Sequence, residues 1–180
     1  MKVAVPGGCG FIGSLVVDKL RDQSIDVRVL DNMGTPHRDD VDHVRVDIMD
    51  QQALNDATRG IDVIYHLAAV ADVNNVAADP TGSVALNVLG TANVLESARQ
   101  NELRRVVLAS TVWVYGAARE ERVDERVCFD PALTGHVYTT TKIAAEMLCH
   151  DYQTMFKVPF TILRYGIPYG PRMRPSLVIP

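Results

Sequence analysis

Tyr138 and Lys142 lie one helical turn apart in the segment YTTTK, so their side chains project from the same face of a helix. An ammonium group close to a phenol favours the phenolate, and we expect it to lower the tyrosine pKa from about 10 toward neutral pH. A tyrosine in that state is a candidate general base for the proton of an alcohol. The pair therefore predicts proton abstraction from a hydroxyl group.

A glycine-rich segment near the start of the chain predicts a nucleotide site. Residues 7–13 read GGCGFIG, and they follow a predicted strand and open an amphipathic helix. Glycines at this spacing allow a tight turn and the close approach of a pyrophosphate to the backbone. The phosphates then lie on the free N–H groups of the helix N-terminus. Together with the Tyr138/Lys142 pair, the loop predicts redox chemistry at a carbinol carbon.

Two acidic positions follow later strands. Asp31 ends the second predicted strand, about 20 residues after the loop, where a carboxylate is expected to bind the adenosine ribose hydroxyls. It would repel a 2′-phosphate, which favours NAD over NADP; the alternative is a turn aspartate before Asn32. Asp47 ends the third strand, and with Ile48 it could flank the adenine. The alternative for Asp47 is an N-cap of the next helix.

A buried strand ends in two hydroxyl residues, Ser110 and Thr111. Ligands of α/β sheets bind at the carboxyl ends of strands. A hydroxyl there can donate a hydrogen bond to a substrate alcohol or to a developing carbonyl oxygen. With the glycine loop and the Tyr138/Lys142 pair, this position predicts a substrate contact, and Lys142 could also reach the nicotinamide ribose.

Composition excludes several classes of function. The chain has 180 residues, 47% of them hydrophobic, and a net charge of -4 with no basic stripe, so we expect no nucleic-acid partner. No apolar run reaches the roughly 18 residues of a membrane span, and the start of the chain shows no signal peptide. The histidines and cysteines show no metal-ligand spacing, so we expect no metal and a cytoplasmic protein with reduced thiols. His66 is interpreted as a packed residue at a strand end.

Short apolar runs alternate with helical patterns, which predicts an α/β fold: a Rossmann-type doubly wound parallel sheet with helices on both faces. The predicted strands are Lys2–Val5, Asp26–Leu30, His43–Val46, Asp62–His66, Arg105–Ser110 and Phe160–Arg164. One predicted helix follows the glycine loop directly. The others cover about Gln51–Thr58, Thr81–Gln100 and His136–Phe156. One domain over residues 1–180 accounts for all of them.

These motifs, in this order, resemble the extended short-chain dehydrogenase/reductase superfamily, in its NAD-dependent nucleotide-sugar epimerase/dehydratase branch. The resemblance rests on GGCGFIG at 7–13, Asp31, Asp47-Ile48, HLAA at 66–69, NVLGT at 87–91, Ser110-Thr111 ahead of VYG at 114–116, YTTTK at 138–142, and Arg164-Tyr165 ahead of YGPR at 169–172. It implies Thr111, Tyr138 and Lys142 as the catalytic residues. It implies NAD-binding residues at Gly7, Gly10, Phe11, Ile12, Gly13, Asp31, Asn32, Asp47, Ile48, Leu67, Ala68, Ala69, Asn87, Ser110, Tyr138, Lys142 and Tyr165.

Within that branch the chain is similar to UDP-glucose 4-epimerase-like proteins. The resemblance implies that the Tyr138 phenolate takes the proton of the sugar 4-hydroxyl, while hydride passes from C4 to NAD and returns to the other face of a transient 4-keto sugar. A 4,6-dehydratase would carry Asp-Glu after the strand-end threonine, where this chain has Val112-Trp113. After Arg164-Tyr165 the family usually reads Phe-Asn-Val, and here residues 166–168 are Gly-Ile-Pro.

The resemblance also implies partners and a larger protein. Family members bind a nucleotide sugar and continue well past this length, so we expect the C-terminal substrate domain to be absent or truncated. They commonly form homodimers through two long helices, here those near 81–100 and 136–156. Three alternatives stay open: a non-catalytic NAD-binding module or fragment, a nucleotide-sugar dehydratase, and a keto-sugar reductase.

Overall fold

The central sheet contains six parallel strands and confirms the Rossmann-type fold. The computed structural model describes residues 1–116, 118, 122–128, 130 and 134–173. Its strands are β1 (Lys2–Pro6), β2 (Asp26–Leu30), β3 (Asp42–Val44), β4 (Val63–His66), β5 (Arg105–Thr111) and β6 (Phe160–Tyr165). They lie in the order β3-β2-β1-β4-β5-β6. This order reverses direction between β1 and β4, as in dinucleotide-binding sheets.

Helices connect the strands. They are α1 (Phe11–Asp22), α2 (Gln51–Ala57), α3 (Val73–Ala78), α4 (Pro80–Val84), α5 (Gly90–Gln100) and α6 (Val137–Phe156). A π-helical turn over Ala85–Leu89 joins α4 to α5, and a 3₁₀ turn over Val112–Tyr115 follows β5.

Both faces of the sheet are apolar. Successive side chains of a strand point to opposite faces, and the strands contain runs of consecutive apolar residues. On β1, Val3 and Val5 join the cluster that packs under α1, whereas Ala4 joins the larger cluster on the other face. The larger cluster contains apolar residues of α2, α5 and α6, among them Leu54, Leu95 and Ala145. These two cores hold the strand ends rigidly, and the candidate site is built on those ends.

Strand β3 differs most from its prediction, since it covers Asp42–Val44 and not His43–Val46. The pairing with β2 ends at Leu30 and Val44, and the Asp31 amide then bonds the Val44 carbonyl at 3.4 Å as the two chain segments separate. Val46 stays buried but lies in the irregular segment after the strand. The predicted strand continued too far because Val46, a buried apolar residue, lies beyond the end of the pairing and resembles a strand residue in the sequence.

Helix α3 was not predicted from the sequence. The long helix predicted at Thr81–Gln100 contains the π-helical turn. Such turns are rare in proteins, but those that occur are often found at functional sites. Here the turn contains Asn87, whose buried amide bonds the backbone of Val70 in the loop after β4. The π-helical turn therefore lies where the helix contacts the loop after β4.

The glycine loop is shaped by close backbone contacts. Gly7 has a φ of +80°, a conformation that L-residues rarely adopt, and a Cβ there would lie 2.6 Å from the Ala68 nitrogen. A Cβ on Gly13 would lie 2.0 Å from the Gly7 carbonyl oxygen. Helix α1 can therefore approach the turn this closely only with glycine at position 13.

We predict that Gly13→Ala destabilises the fold by about 1–3 kcal/mol, because the loop backbone must move to admit the methyl group. Gly166→Ala is the matched control, since its added Cβ meets nothing within 4 Å. We expect the control to change stability by less than about 0.5 kcal/mol. Urea unfolding followed by circular dichroism measures both variants. Equal stabilities for the two would contradict the close contact of α1 with the loop.

Candidate functional site

The glycine loop and the chain after β4 meet where the sheet reverses its order. The Leu67 amide donates to the Pro6 carbonyl at 2.9 Å, which continues the pairing of β4 with β1 beyond the strand itself. Gly7 then lies against Ala68. The structure thus brings Leu67 and Ala68 to the glycine loop, as expected for residues at one crevice of a doubly wound sheet.

The start of α1 fits an anionic group. Its N-cap residue is Gly10, which has no side chain to bond the first-turn amides, and the first backbone bond of the helix runs from the Ser14 amide to the Gly10 carbonyl at 2.8 Å. Phe11, Ile12 and Gly13 form that first turn. Uncapped N–H groups at a helix N-terminus favour a phosphate through both hydrogen bonds and the helix dipole.

Asp31 lies beside this loop and also forms the turn after β2, the alternative given to it. Its Oδ2 accepts from the Cys9 amide at 3.1 Å, which places the carboxylate against the glycine loop. Its Oδ1 accepts from the amides of Met33 and Gly34 at 3.0 and 2.9 Å, so it also forms the turn after β2. The carboxylate is held by backbone donors and remains partly exposed. It is therefore fixed in place next to the phosphate end of the site.

The end of β3 is joined to that of β2 by side chains. The Asn32 amide donates to Asp47 Oδ2 at 2.9 Å, and Asp47 Oδ1 accepts from the Met49 amide. The alternative of Asp47 as a helix N-cap is wrong, because Asp50 caps α2 by accepting from the Ala53 amide at 3.0 Å. Ile48 has a buried side chain that packs against Gly90.

Asn87 connects the π-helical turn to two neighbouring segments. Its Oδ1 accepts from the Val70 amide at 2.8 Å, and its Nδ2 donates to the Val70 carbonyl at 3.0 Å and to Thr141 Oγ1 at 3.1 Å. The Thr141 hydroxyl in turn donates to the carbonyl of Tyr138 at 2.7 Å. This chain of bonds fixes the first turn of α6 relative to the loop after β4.

Lys142 connects α6 to the end of β5. Its side chain is 6% exposed, and its Nζ donates to the Ala109 carbonyl at 2.9 Å. Ser110 and Thr111 follow directly and are buried. Thr111 Oγ1 accepts from the Trp113 amide at 3.3 Å, which starts the 3₁₀ turn. Tyr165 ends β6 and is paired in register with Thr111. The structure thus brings the predicted catalytic elements together at one end of the sheet.

The expected effect of Lys142 on Tyr138 is wrong for the chain as described. Burial raises the pKa of the Tyr138 phenol above its ordinary value. The Lys142 nitrogen lies 5.8 Å from the centre of the tyrosine ring and bonds the Ala109 carbonyl. Burial lowers the pKa of Lys142 to about 8, and the charge of Glu146 opposes that shift. Desolvation is therefore the cause that sets the direction of the shift at the phenol.

Two rings next to Tyr138 were not predicted. The His136 ring stacks on Tyr138 with centroids 6.0 Å apart, and Trp113 meets His136 edge-on at 5.7 Å. His136 also caps α6 by accepting from the Thr139 amide at 3.2 Å. Trp113 is 55% exposed. Its position two residues after Thr111, a predicted site residue, is the signal from which the sequence could have indicated that Trp113 lies near the site.

Glu146 was also missed, although it continues the four-residue spacing of Tyr138 and Lys142. It is buried, accepts from the Ser110 hydroxyl, and forms an ion pair with Arg164 at 2.7 Å. Ser110, predicted to lie near the cofactor, thus directs its proton to this carboxylate. Tyr115 was not predicted as a site residue either, and its hydroxyl accepts from Arg164 Nη1 at 2.7 Å.

His66 is a packed residue at the end of β4, as predicted. Its Nε2 lies 3.0 Å from Thr91 Oγ1, and that hydroxyl donates to the Asn87 carbonyl. Burial, and then the charge of Lys142, lower its pKa to about 3, so the imidazole is neutral. Among the described residues, no cluster of three His, Cys, Asp or Glu side chains is arranged to hold a metal ion.

No helix in the described part of the chain combines the length and the apolar character that crossing a membrane requires.

Comparisons with known proteins agree with this geometry. The sequence model of the NAD-dependent epimerase/dehydratase family matches residues 3–180. A UDP-glucose 4-epimerase of Halalkalibacterium halodurans is 32% identical over 170 residues, which is 92% of this chain and 50% of that protein. The crystal structure of the Thermus thermophilus UDP-glucose 4-epimerase with NAD matches with a TM-score of 0.87 and 35% identity, over 98% of this chain and 58% of that one.

A dehydratase is equally similar in structure. The dTDP-glucose 4,6-dehydratase of Streptomyces venezuelae, solved with NAD, matches with a TM-score of 0.90 and 29% identity, over 100% of this chain and 60% of that one. The chain therefore spans between half and three fifths of the length of these proteins. The cofactor of the family is NAD, and the uncapped α1 and the fixed Asp31 fit it. The chain belongs to the NAD-dependent epimerase/dehydratase family.

Proposed function

We propose that this chain is the cofactor-binding part of an NAD-dependent nucleotide-sugar epimerase that inverts C4 of a UDP-hexose through a transient 4-keto sugar. The observation that carries the proposal is the position of α6. Lys142 bonds the carbonyl of Ala109 at 2.9 Å, two residues before Thr111, and Tyr138 lies one helical turn before Lys142. The phenol, the ammonium ion and the hydroxyl residue thus lie at the carboxyl edge of the parallel sheet, and the glycine loop follows β1 at the same edge.

Each of the three residues has a distinct role in the proposed reaction. Tyr138 as its phenolate accepts the proton of the sugar 4-hydroxyl and returns it after the ring has turned. Thr111 orients the same oxygen by a hydrogen bond. Lys142, as an ammonium ion, stabilises the phenolate when it forms. NAD, when bound, supplies the reversible two-electron oxidation of C4. Proton and electrons return to the substrate, so the reaction consumes no cofactor.

Burial raises the pKa of the Tyr138 phenol. A phenol in this state is protonated near neutral pH and is a poor base. The proposal therefore requires that ligand binding lowers the pKa of the phenol. The positive charge of an oxidised nicotinamide ring would act in that direction.

The chain after β5 supports epimerisation over dehydration. A dehydratase needs acid and base groups at C5 and C6 in addition to the tyrosine, and the resemblance places them directly after Thr111. Here Val112 and Trp113 occupy those positions, and both are partly exposed. An apolar residue and an indole cannot exchange protons with carbon at C5. A keto-sugar reductase differs in another way, since it would oxidise NADH in net turnover.

A second candidate function is a non-catalytic NAD-binding module. It is favoured by Ile167, because the family usually has an asparagine at this position and this side chain is apolar and exposed. NAD binding without turnover would distinguish the module from the enzyme.

We also propose a homodimer formed by the helices near 81–100 and 136–156, in agreement with the resemblance. Supporting this, Leu89 in the π-helical turn and Met147 on α6 are 51% and 58% exposed. Large apolar side chains exposed on neighbouring helices are typical of an interaction surface.

We expect Asp31→Asn to shift the ratio of NADP to NAD affinity toward NADP by about tenfold or more, because the carboxylate charge repels a 2′-phosphate. Asparagine keeps an acceptor for the amides of Met33 and Gly34, so the turn should persist. Calorimetric titration of both nucleotides measures the ratio. A wild-type chain that binds NADP as tightly as NAD would contradict the role of Asp31.

For Tyr138→Phe we expect a loss of C4 epimerisation by about 10²- to 10⁴-fold, because the general base is removed. NAD affinity should stay within about threefold, since the ring is retained. The measurement is NMR detection of a C4 epimer from UDP- and dTDP-hexoses with NAD. Tyr152→Phe on the same helix is the control and should retain full rate. Near wild-type turnover of Tyr138→Phe would refute the general-base role.

If the helices form the dimer, Leu89→Glu combined with Met147→Glu should convert it to a monomer, since four charges would be buried at one symmetric contact. Light scattering after gel filtration measures the mass. Met33→Glu, an equally apolar exposed position away from these helices, is the control and should stay dimeric. A monomeric wild-type chain at high concentration would contradict the proposed interface.

A further inference from the structure

Glu146 is a buried carboxylate that the proposed mechanism does not use. It is 1% exposed and lies one helical turn beyond Lys142 on α6. Its Oε1 accepts from the Ser110 hydroxyl and from Arg164 Nε at 3.1 Å, and its Oε2 accepts from Arg164 Nη2 at 2.7 Å. A charge this far from water persists only when several donors compensate it.

The donors to Glu146 come from the two strands that carry the substrate end of the site. Ser110 on β5 and Arg164 on β6 are Cα partners in the sheet. Arg164 also donates to the Tyr115 hydroxyl at 2.7 Å, and its guanidinium covers that ring at 4.8 Å. Since Glu146 itself is on α6, its carboxylate ties α6 to β5 and β6. Lys142, one turn earlier on the same helix, bonds the carbonyl of Ala109, the residue directly before Ser110.

Lys142 faces charged and titratable groups from several elements. On α6 these are Tyr138 and Glu146, and from β4 it is His66, which is neutral because burial lowers its pKa to about 3. Arg164 on β6 contacts Glu146 and adds a positive charge nearby. Of these groups, Glu146 has the negative charge that favours an ammonium ion at Lys142. Loss of water alone would favour the neutral amine.

We propose that Glu146 is a positioning residue of the site, whose carboxylate keeps Lys142 in its ammonium form and fixes Ser110 and Arg164 under the ends of β5 and β6. It acts through Lys142 and not on the substrate. The catalytic use of that ammonium ion rests on the proposed function, but its charge state does not. The two can therefore fail separately.

The test is an NMR titration of the chain that is labelled at the ε-carbon of lysine. The lysines are Lys2, Lys19, Lys142 and Lys157, and Lys142→Arg identifies the resonance of interest by its disappearance. In the wild type we expect Lys142 to titrate near its shifted pKa of about 8. In Glu146→Gln the pKa should fall by at least about one unit, because the stabilising charge is lost.

Matched variants separate the charge of Glu146 from its shape. Glu146→Asp keeps the charge and should retain more of the wild-type pKa of Lys142 than Glu146→Gln does. Glu96→Gln removes a carboxylate that is paired with Arg99 at 2.6 Å on α5, and it should leave Lys142 unchanged. An unchanged pKa of Lys142 in folded Glu146→Gln, or an equal fall in the Asp and Gln variants, would overturn the proposal.

Removing one partner of a buried ion pair can prevent folding. The double variant Glu146→Gln with Arg164→Gln removes both charges, and in it the pKa of Lys142 should still lie below the wild-type value. The wild-type titration can overturn the proposal even without variants. A Lys142 that is already a neutral amine at pH 6 would overturn the proposal, because no carboxylate would then be holding its proton.

Discussion

The bond from Lys142 Nζ to the Ala109 carbonyl is the contact on which the candidate site depends. It fixes a 20-residue helix to the carboxyl end of a central strand, two residues before Thr111. Because Tyr138 lies one turn earlier on that helix, the same bond sets where the phenol lies relative to the strand end. The two apolar cores pack against both faces of the sheet and hold the strand in place. The bond of the buried Lys142 to that strand therefore fixes the position of α6 relative to the sheet.

Burying that cation has a cost, which the surrounding groups offset. Lys142 loses its hydration, and the structure compensates with a backbone carbonyl, a buried carboxylate and a neutral imidazole. The carboxylate in turn needs Ser110 and Arg164. Charge compensation thus spreads from the lysine to both strands that end at the site. This explains why polar residues occupy the interior at this end of an otherwise apolar sheet.

The fold could be predicted from the sequence because local signals agree with it. Six apolar runs, alternating helical patterns and the GGCGFIG loop all point to one parallel sheet, and the structure confirms that sheet. Strand β3 was misplaced because the buried Val46 continues the apolar pattern after the pairing ends. The π-helical turn was not predicted, and the contact that accompanies it, from Asn87 to Val70, joins segments that local sequence patterns do not connect.

The site was predictable in its residue types but less so in its electrostatics. The four-residue spacing placed Tyr138 and Lys142 on one helix face, and the structure agrees. Spacing cannot report burial, however, so the lowered pKa expected for Tyr138 was wrong: desolvation raises it. Glu146 continues the same spacing, but its importance lies in partners on β5 and β6 that only the fold brings to it.

The proposed epimerase oxidises and reduces C4 of the sugar within one bound complex. The most direct test is to incubate the chain and NAD with UDP-glucose that has deuterium at C4, in ordinary water, and to follow the label by NMR. We expect a C4 epimer that retains its deuterium, because the hydrogen on carbon passes to the cofactor and returns. A C4 epimer whose deuterium has exchanged with water would contradict this mechanism.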